Sequence, residues 1–428
     1  MLNIGVHYRQ LCACTVSLVV GTALLAPSGY TQPEPARSAD DFVDSIGVNT
    51  HLFYDDSVYY QKYNEIIKPK LLELGVRHIR DSGTHNLNGY LDRLKDLANQ
   101  GIRSHLIFDP RNSTPQQAIT LIKQLGPSVV ESIEGPNEYE NSGDPNWIGT
   151  ERVYVQQLYQ AIKGDSTTAS LPVSGPTLTS ASAVNSVGDL SSFVDYGAMH
   201  NYYSGRNPGT SGWGDQGYGS IGWNVQLAQK DTGGKSVIST ETGYHNAVNS
   251  TSGNIGVPED VAGRYMPRLF LEQFNDGVPR TWCYEFIDSY NDSNDPDVNF
   301  GLLRNDGSEK PAYVALKNMI NFLKDPGPSF ILGTLDYSLS GNLNNVHHTL
   351  LEKRDGTFYL ILWQEVSSFD VNNKLNINVK SQELKLSLNE PIANVKIHWL
   401  NNSVTASNNL NQIDLSVSAS PLIVEIEK

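Results

Sequence analysis

The chain has 428 residues, 39% of them hydrophobic and 18% charged, with 46 acidic against 31 basic side chains and a formal charge of −15. That apolar content excludes a disordered chain, the lack of a short repeat excludes collagen-like and mucin-like chains, and three cysteines are too few for a disulfide-knit miniprotein. The acidic balance argues against affinity built on phosphate neutralisation, so no nucleic-acid partner is expected.

The first thirty residues read apart from the rest. Arg9 stands in a short polar lead, and residues 11–27 form an apolar run broken by Gly21, too short for a comfortable membrane span. We expect residues 1–28 to be a secretory signal, placing the protein outside the cell, in the periplasm or at the cell surface, with no stable membrane insertion after cleavage; an uncleaved anchor is the alternative. Cys12 and Cys14 fall inside this segment, so a mature chain keeps only Cys283 and no intramolecular disulfide is expected. Residues 29–44, with Pro33, Pro35 and several charges, read as a linker.

From Ser45 onward, short β-branched apolar runs alternate with stretches of helical period. The runs cover residues 45–49, 76–81, 103–109, 129–135, 171–177, 196–202, 235–241 and 279–286. Helical pattern fills residues 60–75, 89–101, 114–126, 152–164 and 257–277, several closing on a glycine where a C-cap is expected, and a last helix is predicted over 312–323. Eight strand-then-helix units predict a (β/α)8 TIM barrel over residues 45–327. A doubly wound open sheet is the competing arrangement, but no glycine fingerprint follows the first strand. Beyond Gly327 the helical period disappears. Short alternating segments parted by Gly, Asn, Asp and Pro, with a hairpin signal at Asp355-Gly356, predict an all-β sandwich over residues 328–428, packed on the barrel or, alternatively, a detached sugar-binding module.

Parallel barrel strands point their C-terminal loops to one face, where the chemistry of such folds gathers. The fourth run leads into Asn137-Glu138-Tyr139, the sixth ends in His200-Asn201-Tyr202, and the seventh in Thr240-Glu241-Thr242. Strands four and seven lie across the barrel mouth, so Glu138 and Glu241 are candidates to face one another over a sugar. Glycosidic cleavage needs such a pair: one carboxyl protonates the departing oxygen while the other attacks, or activates water, at the anomeric carbon. Glu131, Glu134, Glu285 and Asp288 are rival carboxyls on the same strands.

Taken together, Asn137-Glu138, Glu241, Arg80 on strand two, His200 with Tyr202 on strand six and Trp282 on strand eight resemble the pattern of the retaining glycoside hydrolases of clan A. Residues 301–319 also look like the run into the last barrel helix of these enzymes, whereas Tyr139 stands where many members carry proline. The resemblance covers about residues 45–325. It implies a (β/α)8 barrel acting on β-linked polysaccharide or oligosaccharide, with Glu138 as general acid/base, Glu241 as nucleophile and no cofactor. Arg80 and Tyr202 would then donate to Glu241, and Asn137 would hold the sugar 2-hydroxyl.

Each residue also has a plainer reading. Arg80 is a candidate for a structural ion pair with Asp81 or another barrel acid, His200 for a core histidine with a positioning role, and Trp282 for barrel core instead of a sugar platform. Glu285, Asn49 and Asp109, with His51, close strands from which polar side chains reach a substrate. Residues 203–223 are a Gly-rich loop whose Trp213, Tyr218 and Trp223 are candidate platforms or ordinary packing. Residues 288–299 are rich in oxygen ligands but lack an EF-hand glycine and glutamate, so Asx turns explain them more simply than calcium, and no metal site is expected. The rivals to a retaining hydrolase are a noncatalytic carbohydrate-binding barrel and an inverting enzyme.

Overall fold

The computed structural model describes residues 33–84, 89–390, 392–401, 403–408 and 411–428; the expected signal segment lies outside them. Eight strands share one parallel sheet: β1 (Ile46–Asn49), β2 (His78–Ser82), β3 (Arg103–Ile107), β4 (Val130–Glu134), β5 (Val173–Ser174), β6 (Gly197–His200), β7 (Val237–Thr242) and β8 (Thr281–Cys283). Their order is β5-β4-β3-β2-β1-β8-β7-β6, and a parallel bridge from Ser174 to Tyr196 joins the two ends into a barrel. All eight predicted runs are present. The fifth is cut to two residues because Pro172 and Pro176 offer no N–H to a ladder.

The helices wrap the barrel with their apolar stripes inward. Pro115–Leu125 opens on a Thr114/Gln117 capping box and buries Ala118, Ile119, Leu121, Ile122 and Leu125. Lys68–Leu74 stops at Gly75, whose φ of 85° lets its amide turn back to the Leu71 carbonyl. No helix among the described residues is long and apolar enough to cross a membrane.

The linker expected over residues 29–44 is corrected from Glu34 onward. Glu34–Pro35 pairs antiparallel with Thr334–Leu335, Arg37–Ser38 lies parallel to Val346–Glu352, and Ser38 caps the helix Ala39–Asp44. Proline and charge content suggested a linker, but Ala36, Ala39, Phe42 and Val43 supply apolar side chains that are all buried.

After the barrel, a six-stranded sheet runs in the order Val404–Asn408, Asn394–Trp399, Leu422–Glu427, Phe358–Gln364, Val346–Glu352, Arg37–Ser38. It shares a core with the three-stranded sheet of Tyr337–Gly341, Gln382–Leu388 and Gln412–Val417, which gives the predicted sandwich. Strand Phe358–Gln364 is buried at every position because its two faces serve two cores. Phe358, Leu360 and Leu362 enter the sandwich, while Tyr359, Ile361 and Trp363 pack into the barrel core. The β domain is therefore packed on the barrel. An ion pair of 2.7 Å between Arg268, on helix Glu259–Asn275, and Glu365 reinforces the junction, and Trp363 Nε1 donates to Glu272 and Glu365 at 2.8 and 3.0 Å.

Candidate active site

The carboxyl ends of the strands open into a cleft of about 500 Å3. Asn49 from β1, Arg80 from β2, Asp109 after β3, Asn137 and Glu138 after β4, Tyr202 after β6 and Glu241 on β7 all line it. Local backbone irregularities aim the two glutamates. Strand β7 carries one extra residue against both neighbours: Met199 and His200 pair with Ser239 and Glu241, and Thr281 and Cys283 pair with Ser239 and Thr242. Such a bulge turns a side chain that regular pleating would have aimed elsewhere, and here it sets Glu241 opposite His200 at the rim. Glu138 has φ 48° and ψ 44°, a left-handed conformation uncommon for a residue with a side chain, held by its amide donating to the Thr177 carbonyl at 3.0 Å.

Arg80 organises the floor. Its Nε and Nη2 fork onto Glu134 at 2.6 and 2.9 Å, Nη2 also reaches Asn137 Oδ1 at 2.7 Å, and Nη1 donates to Asn49 Oδ1 at 2.7 Å and Glu241 Oε1 at 2.8 Å. The ion pair is thus with Glu134 and Glu241, and Asp81 has other partners: Thr50, the amides of Leu52 and Ser82, and Tyr90. Burial works against the Arg80 charge, but Glu134 and Glu241 more than restore it, so the guanidinium stays charged. Tyr202 donates to the other oxygen of Glu241 at 2.8 Å. Glu241 therefore receives a hydrogen bond on each oxygen, one of them from a cation.

Glu138 lies across the cleft. Its Oε1 is 2.6 Å from His200 Nδ1, which is also 3.5 Å from Glu241 Oε2. One carboxylate oxygen of each glutamate and a ring nitrogen of His200 all fall within 4.8 Å of one another. A general acid needs to hold its proton near neutral pH, which burial favours. Burial does push its carboxyl up, but the hydrogen bond and charge of His200, with Arg80 and Arg111, pull it below the ordinary value. For His200, burial lowers basicity while Glu241 and Glu138 raise it, and the balance is upward. The opposed shifts bias the proton of this hydrogen bond towards the imidazole. The same three side chains offer ligand atoms for a cation, but the Arg80 guanidinium already supplies positive charge at Glu241.

Several expected contacts stand differently. Trp282 is 2% exposed, stacks on His105 at 4.6 Å between ring centroids, and does not line the cleft, so it is barrel core. Glu285 is fully buried behind the wall, accepting from Tyr59 at 3.1 Å and Ser289 at 3.2 Å, with its carboxyl pushed well up by burial and by Asp288. It supports the wall and reaches no sugar. Asn49 and Asp109 do line the cleft, yet each already serves a neighbour: Asn49 holds Arg80, and Asp109 grips Arg111 and the Asn137 amide. The rival carboxyls are committed elsewhere too, Glu131 to His78 and Arg280, Asp288 to Lys310. Trp213, Tyr218 and Trp223 pack edge-on against one another away from the cleft. In residues 288–299, Asp292 and Asp295 close Asx turns on the amides of Asn294 and Asp297.

The sequence reading missed the aromatic wall. Tyr54, stacked on His51 at 4.5 Å, stands with Tyr284, Phe53 and Phe300 around the cleft. Glu134 was noticed only as a rival acid, not as the counter-charge of Arg80.

No protein-family model matches the chain, and no curated protein matches it. Solved structures do. A family 39 glycoside hydrolase from Bacteroides cellulosilyticus is similar at a TM-score of 0.62 and 15% identity, over 92% of this chain and 83% of that one. A glucosidase from Croceicoccus marinus matches at 0.61 and 11% identity, over 92% and 97%. An endo-β-1,6-glucanase matches at 0.53 and 12% identity, over 94% and 96%. Across nearly the whole chain, these likenesses support the barrel-plus-β-domain fold independently of any sequence similarity.

Proposed function

We propose that this protein is a retaining glycoside hydrolase that cleaves β-linked polysaccharide or oligosaccharide, with Glu241 as nucleophile and Glu138 as general acid/base. The observation that carries the reading is the opposition of Glu138 and Glu241, from β4 and β7, with carboxylate oxygens within 4.8 Å across one cleft. Retaining pairs stand about 5 Å apart, whereas inverting pairs leave roughly 6.5–9.5 Å for a water. The glycoside hydrolases similar in fold agree with this reading.

In the first step the Glu241 carboxylate attacks the anomeric carbon as the glycosidic C–O bond breaks, and the departing oxygen takes a proton from Glu138, which draws it from His200 Nδ1, so that Glu138 is left as carboxylate beside a neutral imidazole. In the second, Glu138 removes a proton from water, the water oxygen bonds to the anomeric carbon, and Glu241 leaves as carboxylate. Arg80 and Tyr202 orient Glu241 before attack and steady it again as it departs, and Asn137 faces the sugar 2-hydroxyl. The leader-like residues 11–27 support action outside the cytoplasm.

Proton NMR of the first-formed anomer tests the reading: the β-anomer must appear first. Glu241→Gly should abolish turnover and regain it with azide as an α-glycosyl azide. A protein that binds glycans but never releases reducing ends, with or without Glu241, would instead be a noncatalytic sugar-binding barrel.

A further inference from the structure

The charges around the cleft bear on which sugars it takes, an inference that rests on the glycosidase reading above. Two cations line it, Arg80 and Arg111, against five carboxyl groups: Asp81, Asp109, Glu138, Glu241 and Asp297. All five N–H donors of Arg80 are used, by Glu134, Asn137, Asn49 and Glu241. Arg111 is gripped by Asp109 at 2.7 and 2.6 Å, a fork that cancels its charge, and Nη2 also reaches the Asn137 carbonyl at 2.6 Å. His51 is uncharged near neutral pH, since burial and the neighbouring Arg80 push its ring down to about 3. No lysine is among the lining residues.

Asp297 differs from the other acids. It sits in the turn Pro296–Val298, exposed at the rim, and its carboxylate makes no ion pair among the described residues. Burial and the neighbouring Asp295 push its carboxyl up from the ordinary value; the imidazole of His245 pulls the other way, but burial lowers that ring's own basicity. Between the acids, Tyr54, Tyr284 and Phe300 offer flat apolar faces.

We propose that the cleft selects neutral sugar residues over uronic acids and other anionic sugars, and that Asp297 is the side chain that sets this discrimination. A carboxylate on the substrate finds no cation whose charge is not already matched, and it meets the like charge of Asp297 and the catalytic pair. A hydroxyl in the same place donates to Asp297, while the C–H face of the ring lies on the aromatic wall. Like-charge juxtaposition in a partly dry site lowers binding by about tenfold or more.

The test uses matched aryl β-glycosides that differ only at C6: glucoside against glucuronide, and galactoside against galacturonide. The expected kcat/KM ratio favours the neutral member by about tenfold or more, narrows in Asp297→Asn, narrows further in Asp297→Lys, and shrinks as salt shortens the screening length. A ratio near one or inverted in the wild type overturns the proposal, and a ratio unmoved by both variants overturns the role of Asp297. If no aryl glycoside turns over, calorimetric binding of the matched free sugars and their short oligomers to Glu241→Gln decides. Tighter binding of the neutral members upholds charge selection while the hydrolase reading fails. Binding of anionic members equally or better, or of neither, overturns it.

Discussion

Replacing Arg80 separates what holds the barrel from what drives the chemistry. The guanidinium is 2% exposed and Glu134 is fully buried, so Arg80→Met leaves a carboxylate inside the barrel with only His105 and Thr177 as partners. Breaking one side of a buried pair costs about 3–5 kcal/mol, a large share of the 5–15 kcal/mol that holds a typical domain. In the double variant Arg80→Met/Glu134→Leu both charges are gone, and most of that loss should be recovered, because exchanging a buried pair for apolar groups is close to neutral. Catalysis should not recover. Glu241 still lacks its donor at 2.8 Å, and losing one preorganised charge-assisted contact in a dry site lowers kcat by roughly 10²–10³. Denaturant unfolding and steady-state kinetics on the same samples give both readouts. Recovery of kcat together with stability in the double variant would refute a direct role for Arg80 at Glu241.

Other outcomes follow from the same geometry. Glu138→Gln should lower kcat by about 10² or more on substrates with poor leaving groups, and far less on dinitrophenyl glycosides that need no protonation, as initial rates on the two classes will show. In the wild type, the alkaline limb of kcat/KM should lie above the ordinary imidazole value of 6.5, because His200 is raised and holds the proton that Glu138 uses; His200→Asn should move that limb acidward, and an unmoved profile rejects the shared proton. Glu151 is fully buried with neither carboxyl oxygen bonded, and burial, with Glu140 next, pushes it up to about 9. A folded-state value raised above the unfolded 4.5 means that stability falls as pH rises from 4.5 to 9, so Glu151→Met should stabilise the protein by about 3 kcal/mol at pH 7 and by little at pH 4, measured by urea unfolding at both. Glu365→Ala should orphan the fully buried Arg268 at the junction of barrel and β domain, costing about 3–5 kcal/mol with the cleft residues untouched.

The barrel was legible because short β-branched runs recur eight times between stretches of helical period. The opposition of Glu138 and Glu241 was legible for a related reason, since residues at or just past the carboxyl ends of parallel strands gather at one rim. What the runs did not reveal was height and counter-charge. Trp282 does point into the lumen, as a strand-eight platform would, but it sits one layer too low, against His105. Tyr284, two residues later and about 7 Å further along an extended chain, holds the rim position instead. Glu285, one more residue on, falls to the other side, among Tyr59 and Ser289.

Glu134 illustrates why the electrostatics of such a site escape a linear reading. On its strand it is one acid among several, and nothing in spacing or composition distinguishes it from Glu131, three residues earlier. Only the pairing order of the sheet sets β2 two places from β4 on one side and three from β7 on the other, so that Arg80 can fork onto Glu134 below while reaching Glu241 above. Without Glu134, the full charge of a buried arginine would rest on Glu241 alone. With it, the cation is held in place and partly neutralised from beneath, and Glu241 shares the guanidinium with a second carboxylate. The chemistry of the rim thus depends on a residue one layer below it, in a position that no sugar touches.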